Sequence, residues 1–194
     1  MTSLVHLASV SPRRRELLGQ LGIDVQVVPA AVDEALQADE LPCDYVRRLA
    51  RAKAAAATAP AAAIVLAADT AVAVAGQILG KPRDAADAAR MLALLSATTH
   101  DVWTAVAVFS SIGESVAISH STVELRAVAP AEAASYWASG EPADKAGGYA
   151  IQGLGAVFVR YLRGSYSGVM GLPLFETAQL LAEHGIRTLA GGRG

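Results

Sequence analysis

The chain has 194 residues, enough for one large domain or two small lobes. With 16 Lys+Arg against 18 Asp+Glu its formal net charge is -2, which excludes the broad basic surface of a nonspecific nucleic-acid binder. The 53% hydrophobic fraction looks membrane-like until 42 alanines are counted among the residues, and the excess then reads as small side chains in a soluble fold.

Leu4 to Ala8 is a short apolar run, and RRRELLGQLG beyond Pro12 has helical spacing, so strand, loop and helix are expected. Ser11 is the expected N-cap and Pro12 the first helical residue. No long apolar leader precedes this basic run, so a cytoplasmic chain without a signal peptide is expected. Val25 to Val28 forms a second strand before an acidic loop with Asp33 and Glu34. Asp44 to about Thr58 is a helix with Val46, Leu49, Ala50, Lys53 and Ala57 on one stripe. The most apolar stretch, Ala59 to Gly76, is broken by Pro60 and carries Asp69, a charge that would be expensive in a bilayer. It is expected as buried sheet, with two short runs around Asp69 and Thr70.

Gln77 to Leu79 leads into a turn at Gly80 to Pro82, and Asp84 caps a helix with Ala88, Met91, Leu92 and Leu95 inward. Asp101 to Phe109 and Ser115 to Arg126 are long strands joined at Ile112 to Glu114. A short helix, Pro130 to Ser139, stops at Gly140. Ala146 to Arg160 is expected as a glycine-interrupted hairpin, and Pro173 to His184 as a last helix closed by Gly185. Strands and helices alternate without a linker or repeat, so residues 1–194 are expected as a single α/β domain. The adjacent strand pairs need antiparallel neighbours, which favours a mixed sheet with flanking helices and two lobes around a cleft. One cysteine, Cys43, allows no intramolecular disulfide, and the four histidines have no paired metal spacing.

Charge placed on inward faces is the guide to function. Arg13 and Arg14 extend the leucine stripe of the first helix at its N-terminal mouth, where free N–H groups, Ser9 and Ser11 add to an anion site. The plainer alternative is a capped helix with solvated arginines. Lys53 either snorkels past its helix end or points into a polar cleft. Asp69 must be paired, hydrogen-bonded or metal-bound if buried, and otherwise marks a tight turn. Glu34 is its candidate partner across a divalent ion or an ordinary loop carboxylate, and Lys81 in LGKPRD faces the same site or solvent. Cations for phosphate oxygens and carboxylates for an ion and a water suit a polyphosphate with a metal.

LASVSPRRRELL, VDEAL, RRLARAKA, AADTAV, LGKPRDAADA, GGYAIQGLGAVFV and GSYSGVMGLPLFET, in this order, closely resemble the septum-formation-like Maf family of nucleoside triphosphate pyrophosphatases, from about Leu4 to about Gly185. The resemblance implies an elongated mixed α/β fold related to the inosine triphosphate pyrophosphatases. It also implies cleavage between the α and β phosphates with a divalent cation, Mg2+ or Mn2+, and a house-cleaning role with a link to cell-division arrest. By motif, Asp69 matches the proton acceptor, Ser9, Arg13 and Arg14 the phosphate-binding loop, Glu34 the loop carboxylate near the metal, and Lys53 and Lys81 the cleft lysines. Arg13, Thr70 and Gln152 match the branch acting on dTTP and UTP. Relatives of this fold are commonly homodimers. A nucleotide-sensing regulator of septum formation without significant turnover is the alternative, and neither reading calls for a nucleic-acid or membrane partner.

Overall fold

In the computed structural model, which describes residues 4–188, the chain opens with β1 (Leu4–Leu7), α1 (Pro12–Gln20) and β2 (Asp24–Val27). β1 and β2 run parallel, so a crossover is needed, and α1 supplies it. Pro12 takes the first helical position, but Ser11 makes no side-chain cap, contrary to expectation. The hydroxyl of Ser9 does the local work instead, accepting the Ser11 amide at 3.2 Å.

α2 (Pro42–Ala56) starts before Asp44 because the fixed φ of Pro42 suits the first turn. β3 (Val65–Val74) is one ten-residue strand where two short runs were expected. Asp69 sits mid-strand opposite Ala105, neither at a strand end nor in a turn. A buried carboxylate can stay in the ladder because Lys53 reaches it from α2. β4 (Gln77–Leu79) folds back on β3 through Ala75 and Gly76, whose φ values of 49° and 79° make a two-residue hairpin. α3 (Ala85–Leu95) is capped by Asp84, which accepts the Asp87 amide at 2.8 Å, and buries the expected Ala88, Met91, Leu92 and Leu95.

β5 (Thr99–Ser110) and β6 (Gly113–Leu125) form the long antiparallel pair, followed by α4 (Pro130–Ala138). The expected hairpin over Ala146 to Arg160 is absent: tight turns at Ala146–Gly148 and Leu154–Phe158 precede β7 (Val159–Arg163). Hydrogen bonds from the Ala150–Gly155 segment go to Tyr136 and Glu141, not to a strand partner. α5 (Tyr166–Met170), unforeseen in the sequence, and α6 (Leu174–Glu183) complete the described chain.

The strands form one mixed sheet in the order β2-β1-β3-β5-β6-β7, with β4 paired to β3. Leucines of α1 and α6 pack on one face with Leu66, Val106 and Val108. On the other face Val46, Ala50 and Ala54 of α2 meet Ala67, Ala71, Ala105 and Ala107. Alanines thus line the layer where a helix must approach a sheet closely, and close packing there brings Lys53 within reach of Asp69. A third cluster, with Val72, Leu79, Met91, Leu92 and Leu125, builds the second lobe around α3 and α4.

Pairing along β3 decides where the cleft opens. β1 pairs only with Val65 and Leu66, and β4 only with Val72 to Val74. The β3 edge from Asp69 to Ala71 lies in the gap between these partners, with the two lobes on either side.

His100 adds a pH dependence to the fold. It is buried, its Nε2 2.8 Å from the Tyr149 hydroxyl, and burial lowers its pKa to about 4 against the opposing pull of Asp101. Between that value and the unfolded value of about 6.5 the unfolded chain binds more protons, so stability rises with pH through this window and is lost as pH falls through it. Urea unfolding is expected to weaken by on the order of 3 kcal/mol between pH 7 and pH 4 from this group. His100→Asn should flatten that part of the profile; an unchanged slope would refute the assignment.

Candidate active site

The cleft has a volume of about 620 Å3 and collects Ser9, Arg13, Arg14, Glu34, Lys53, Asp69, Thr70, Lys81 and Gln152, every site residue expected from the sequence. Their elements explain the gathering. The turn after β1 delivers Ser9 and α1 begins with Arg13 and Arg14. The β2–α2 connection carries Glu34, α2 carries Lys53, and β3 carries Asp69 and Thr70.

At the floor Lys53 Nζ lies 2.6 Å from Asp69 Oδ1 and 2.5 Å from Glu34 Oε1. Its side chain is 12% exposed, so it points into the cleft and does not snorkel. Burial pushes the Asp69 carboxyl above its ordinary range, against the pull of Lys53 and Arg14. Partial burial also works on Glu34, but there the Lys53 hydrogen bond and charge, with Lys81 and Arg14, outweigh it and hold the carboxyl low. The floor thus has one carboxylate with proton affinity above the ordinary and one that stays ionised.

Arg14 is fixed by three acceptors: its Nε donates to the Gly171 carbonyl at 2.8 Å, one terminal nitrogen to Ser9 Oγ at 3.1 Å and the other to Thr70 Oγ1 at 3.5 Å. Desolvation lowers its pKa, with Asp69 opposing. Of the five guanidinium N–H groups, two remain free for an anion. Gly171 has φ 117°, a value that needs glycine, so the end of α5 is shaped to offer this carbonyl. The Thr104 hydroxyl donates to the Gly168 carbonyl at 2.8 Å and lies 3.0 Å from Thr70 Oγ1. Its one proton is used, so Thr70 donates to Thr104 and presents lone pairs to Arg14 and the cleft.

Arg13 crosses the cleft to Asp144 at 3.3 Å, and Lys145 pairs with the same carboxylate. Lys81 and Gln152 are exposed on the cleft wall. Among the described residues no group of three or more His, Cys, Asp or Glu could hold a metal ion. The protein's donor set is therefore two carboxylates that already share one cation, Lys53. Hard oxygen donors of this number fit Mg2+ or Mn2+, ions that keep several waters and take substrate phosphate oxygens as further ligands.

Residues 4–184 match the profile of the Maf-like protein family. The chain belongs to the Maf family. Among Maf relatives, the dTTP/UTP pyrophosphatase of Saccharophagus degradans is 52% identical over 182 residues, 91% of this chain and 87% of that one. That of Anaeromyxobacter dehalogenans is 54% identical over 183 residues, 92% of this chain and 93% of the other. A solved nucleoside-triphosphatase / dITP/XTP pyrophosphatase from Mycobacterium abscessus superposes with a TM-score of 0.43 at 17% identity, over 94% of this chain and 95% of that one.

The Maf cleft also contains groups that the residue pattern did not single out. Asp144 and Lys145 sit between Pro142 and the Gly147-Gly148 pair, and their adjacent charges before a glycine turn were the available signal. Thr104 is an ordinary strand residue by pattern, and its position beneath Thr70 follows only from the β3–β5 register, where the two are paired. Cys43 is half-buried near the start of α2 and does not line the cleft.

Proposed function

We propose that this chain is a metal-dependent nucleoside triphosphate pyrophosphatase that converts dTTP and UTP to the monophosphate and pyrophosphate as one functional domain. The observation that carries this reading is the Asp69–Lys53–Glu34 group at the floor of a cleft whose rim is Ser9, Arg13 and Arg14. The names of the curated relatives supply the support for the pyrimidine substrates.

Arg14, with two free N–H groups and a guanidinium already locked by Ser9, Thr70 and Gly171, binds phosphate oxygens at little cost in side-chain ordering. Arg13 and Lys81 add charge from either side of the cleft. Asp69 takes a proton from the attacking water, a role suited to a carboxylate whose proton affinity is raised by burial. Lys53 holds that carboxylate in place, and Glu34 and Asp69 are the residues that would hold the divalent ion. When bound, the ion supplies positive charge against the charge developing on the phosphates. Gln152 offers one donor and one acceptor, matching the adjacent imide N–H and carbonyl of uracil or thymine.

No helix among the described residues is long and apolar enough to cross a membrane, and a cytoplasmic setting is the one proposed for a nucleotide substrate. The test is pyrophosphate release from a panel of nucleoside triphosphates. Turnover of dTTP and UTP is expected to exceed that of purine nucleotides, to stop when EDTA removes the metal and to return with Mg2+ or Mn2+. Release that persists in EDTA would sink the metal assignment, and equal turnover of GTP would sink the pyrimidine preference.

A further inference from the structure

Glu141, at the head of the four-residue turn Glu141–Asp144, lies outside the proposed chemistry, yet it holds the loop that carries Gln152. One Glu141 oxygen accepts the Tyr136 hydroxyl at 2.6 Å and the Gly155 amide at 3.0 Å. The other accepts the Leu154 amide at 2.8 Å. The Tyr136 hydroxyl in turn accepts the Ala150 amide at 3.0 Å. One Tyr–Glu pair therefore ties both ends of the 150–155 segment, and Gln152 stands between the ties.

The fit is close enough to exclude side chains. A Cβ on Gly153 would collide with Glu141 Oε2, and one on Gly155 would stand 2.6 Å from the Tyr136 hydroxyl and 2.8 Å from the Ala150 carbonyl. This accounts for two glycines of GGYAIQGLGAV by steric exclusion. Only a carboxylate offers two oxygens, neither with a proton, to three converging donors. Partial burial works against ionisation of Glu141, but the bonds from Tyr136, Gly155 and Leu154 outweigh it and keep the carboxyl low. The far end of the same turn places Asp144 against Arg13. Glu141 itself does not line the cleft.

We infer that Glu141 is a positioning residue for base selection, fixing the Gln152 loop against the nucleobase edge without acting on the phosphates. The inference rests on Gln152 reading the base, so the experiment separates the two. The kcat/KM ratio of dTTP over dCTP and inhibition by inorganic pyrophosphate are measured for the parent, Gln152→Ala, Glu141→Gln and the double variant. Cytosine serves as the probe because it lacks the imide N–H. The amide of Glu141→Gln keeps the size of the side chain but turns a donor toward at least one of the three donors.

Gln152→Ala is expected to lower the ratio by about tenfold, the worth of one hydrogen bond, and Glu141→Gln by a comparable factor. Pyrophosphate inhibition should stay within about twofold, and the double variant should fall no lower than Gln152→Ala alone, since both changes act on one contact. A ratio that falls in Gln152→Ala but holds in Glu141→Gln overturns the positioning role and leaves Gln152 as the base reader. A ratio that holds in Gln152→Ala overturns both. Should Glu141→Gln fail to fold, Tyr136→Phe, which removes a single hydroxyl from the same clamp, carries the comparison with the same outcomes.

Discussion

Asp69→Asn is expected to lower kcat by about 10²–10⁴-fold, the usual contribution of a positioned general base, while the protein melts no lower than its parent. The two halves of this result have one cause. Asp69 is 7% exposed in the middle of β3, and burial raises its pKa despite Lys53 and Arg14. A carboxyl whose folded pKa exceeds its unfolded value binds more protons folded than unfolded between those values. The folded state therefore loses stability as pH rises through that window. Asparagine carries no such penalty, and the Lys53 ammonium stays paired with Glu34, so no unpaired buried charge is left behind. In the metal-free protein the variant should equal or exceed the parent in thermal midpoint at pH 7, with the difference closing below pH 4. Undiminished kcat in a folded variant would remove Asp69 from the chemistry, and a much lower midpoint would show that its charge was structural.

Lys53→Met is expected to cost about 3 kcal/mol of stability, as loss of one partner from a buried ion pair does, and to abolish turnover. The side chains of Lys53 and Asp69 are 12% and 10% exposed, so the carboxylate left behind has little solvent to turn to. Glu34, half-exposed, loses less because water replaces the ammonium. The double variant Lys53→Met/Asp69→Asn should recover most of the lost stability and none of the activity. Urea unfolding of the parent, both single variants and the double variant measures the coupling directly. A cost below about 1 kcal/mol for Lys53→Met would mean that the pair is solvated in solution and worth no more than a surface salt bridge.

Much of the site was legible because charge is scarce, at 18% of residues, and its inward placement conflicts with the apolar pattern. Arg13, Arg14 and Asp69 stand out for that reason, and α3 and the β5–β6 pair are readable from periodicity and caps that act over a few residues. Lys53 was ambiguous because the end of a lysine stem can lie on either side of a helix stripe, and only the packing of α2 on β3 selects the cleft. The 146–160 segment misled because its glycines suit a hairpin as well as the turns that Tyr136 and Glu141 impose from a distant helix and turn.

The sequence by itself determined the α/β class and the chemical kind of each site residue, since these follow from local spacing and residue type, and its motifs carried the resemblance to the family. The tertiary structure alone decided that Asp69 stays within an unbroken strand and that Thr104 orients the Thr70 hydroxyl. It also decided that one short turn holds the Gln152 loop. Each of these depends on strand register or on hydrogen bonds between residues far apart in sequence, and no local pattern encodes which partner a buried polar group will find.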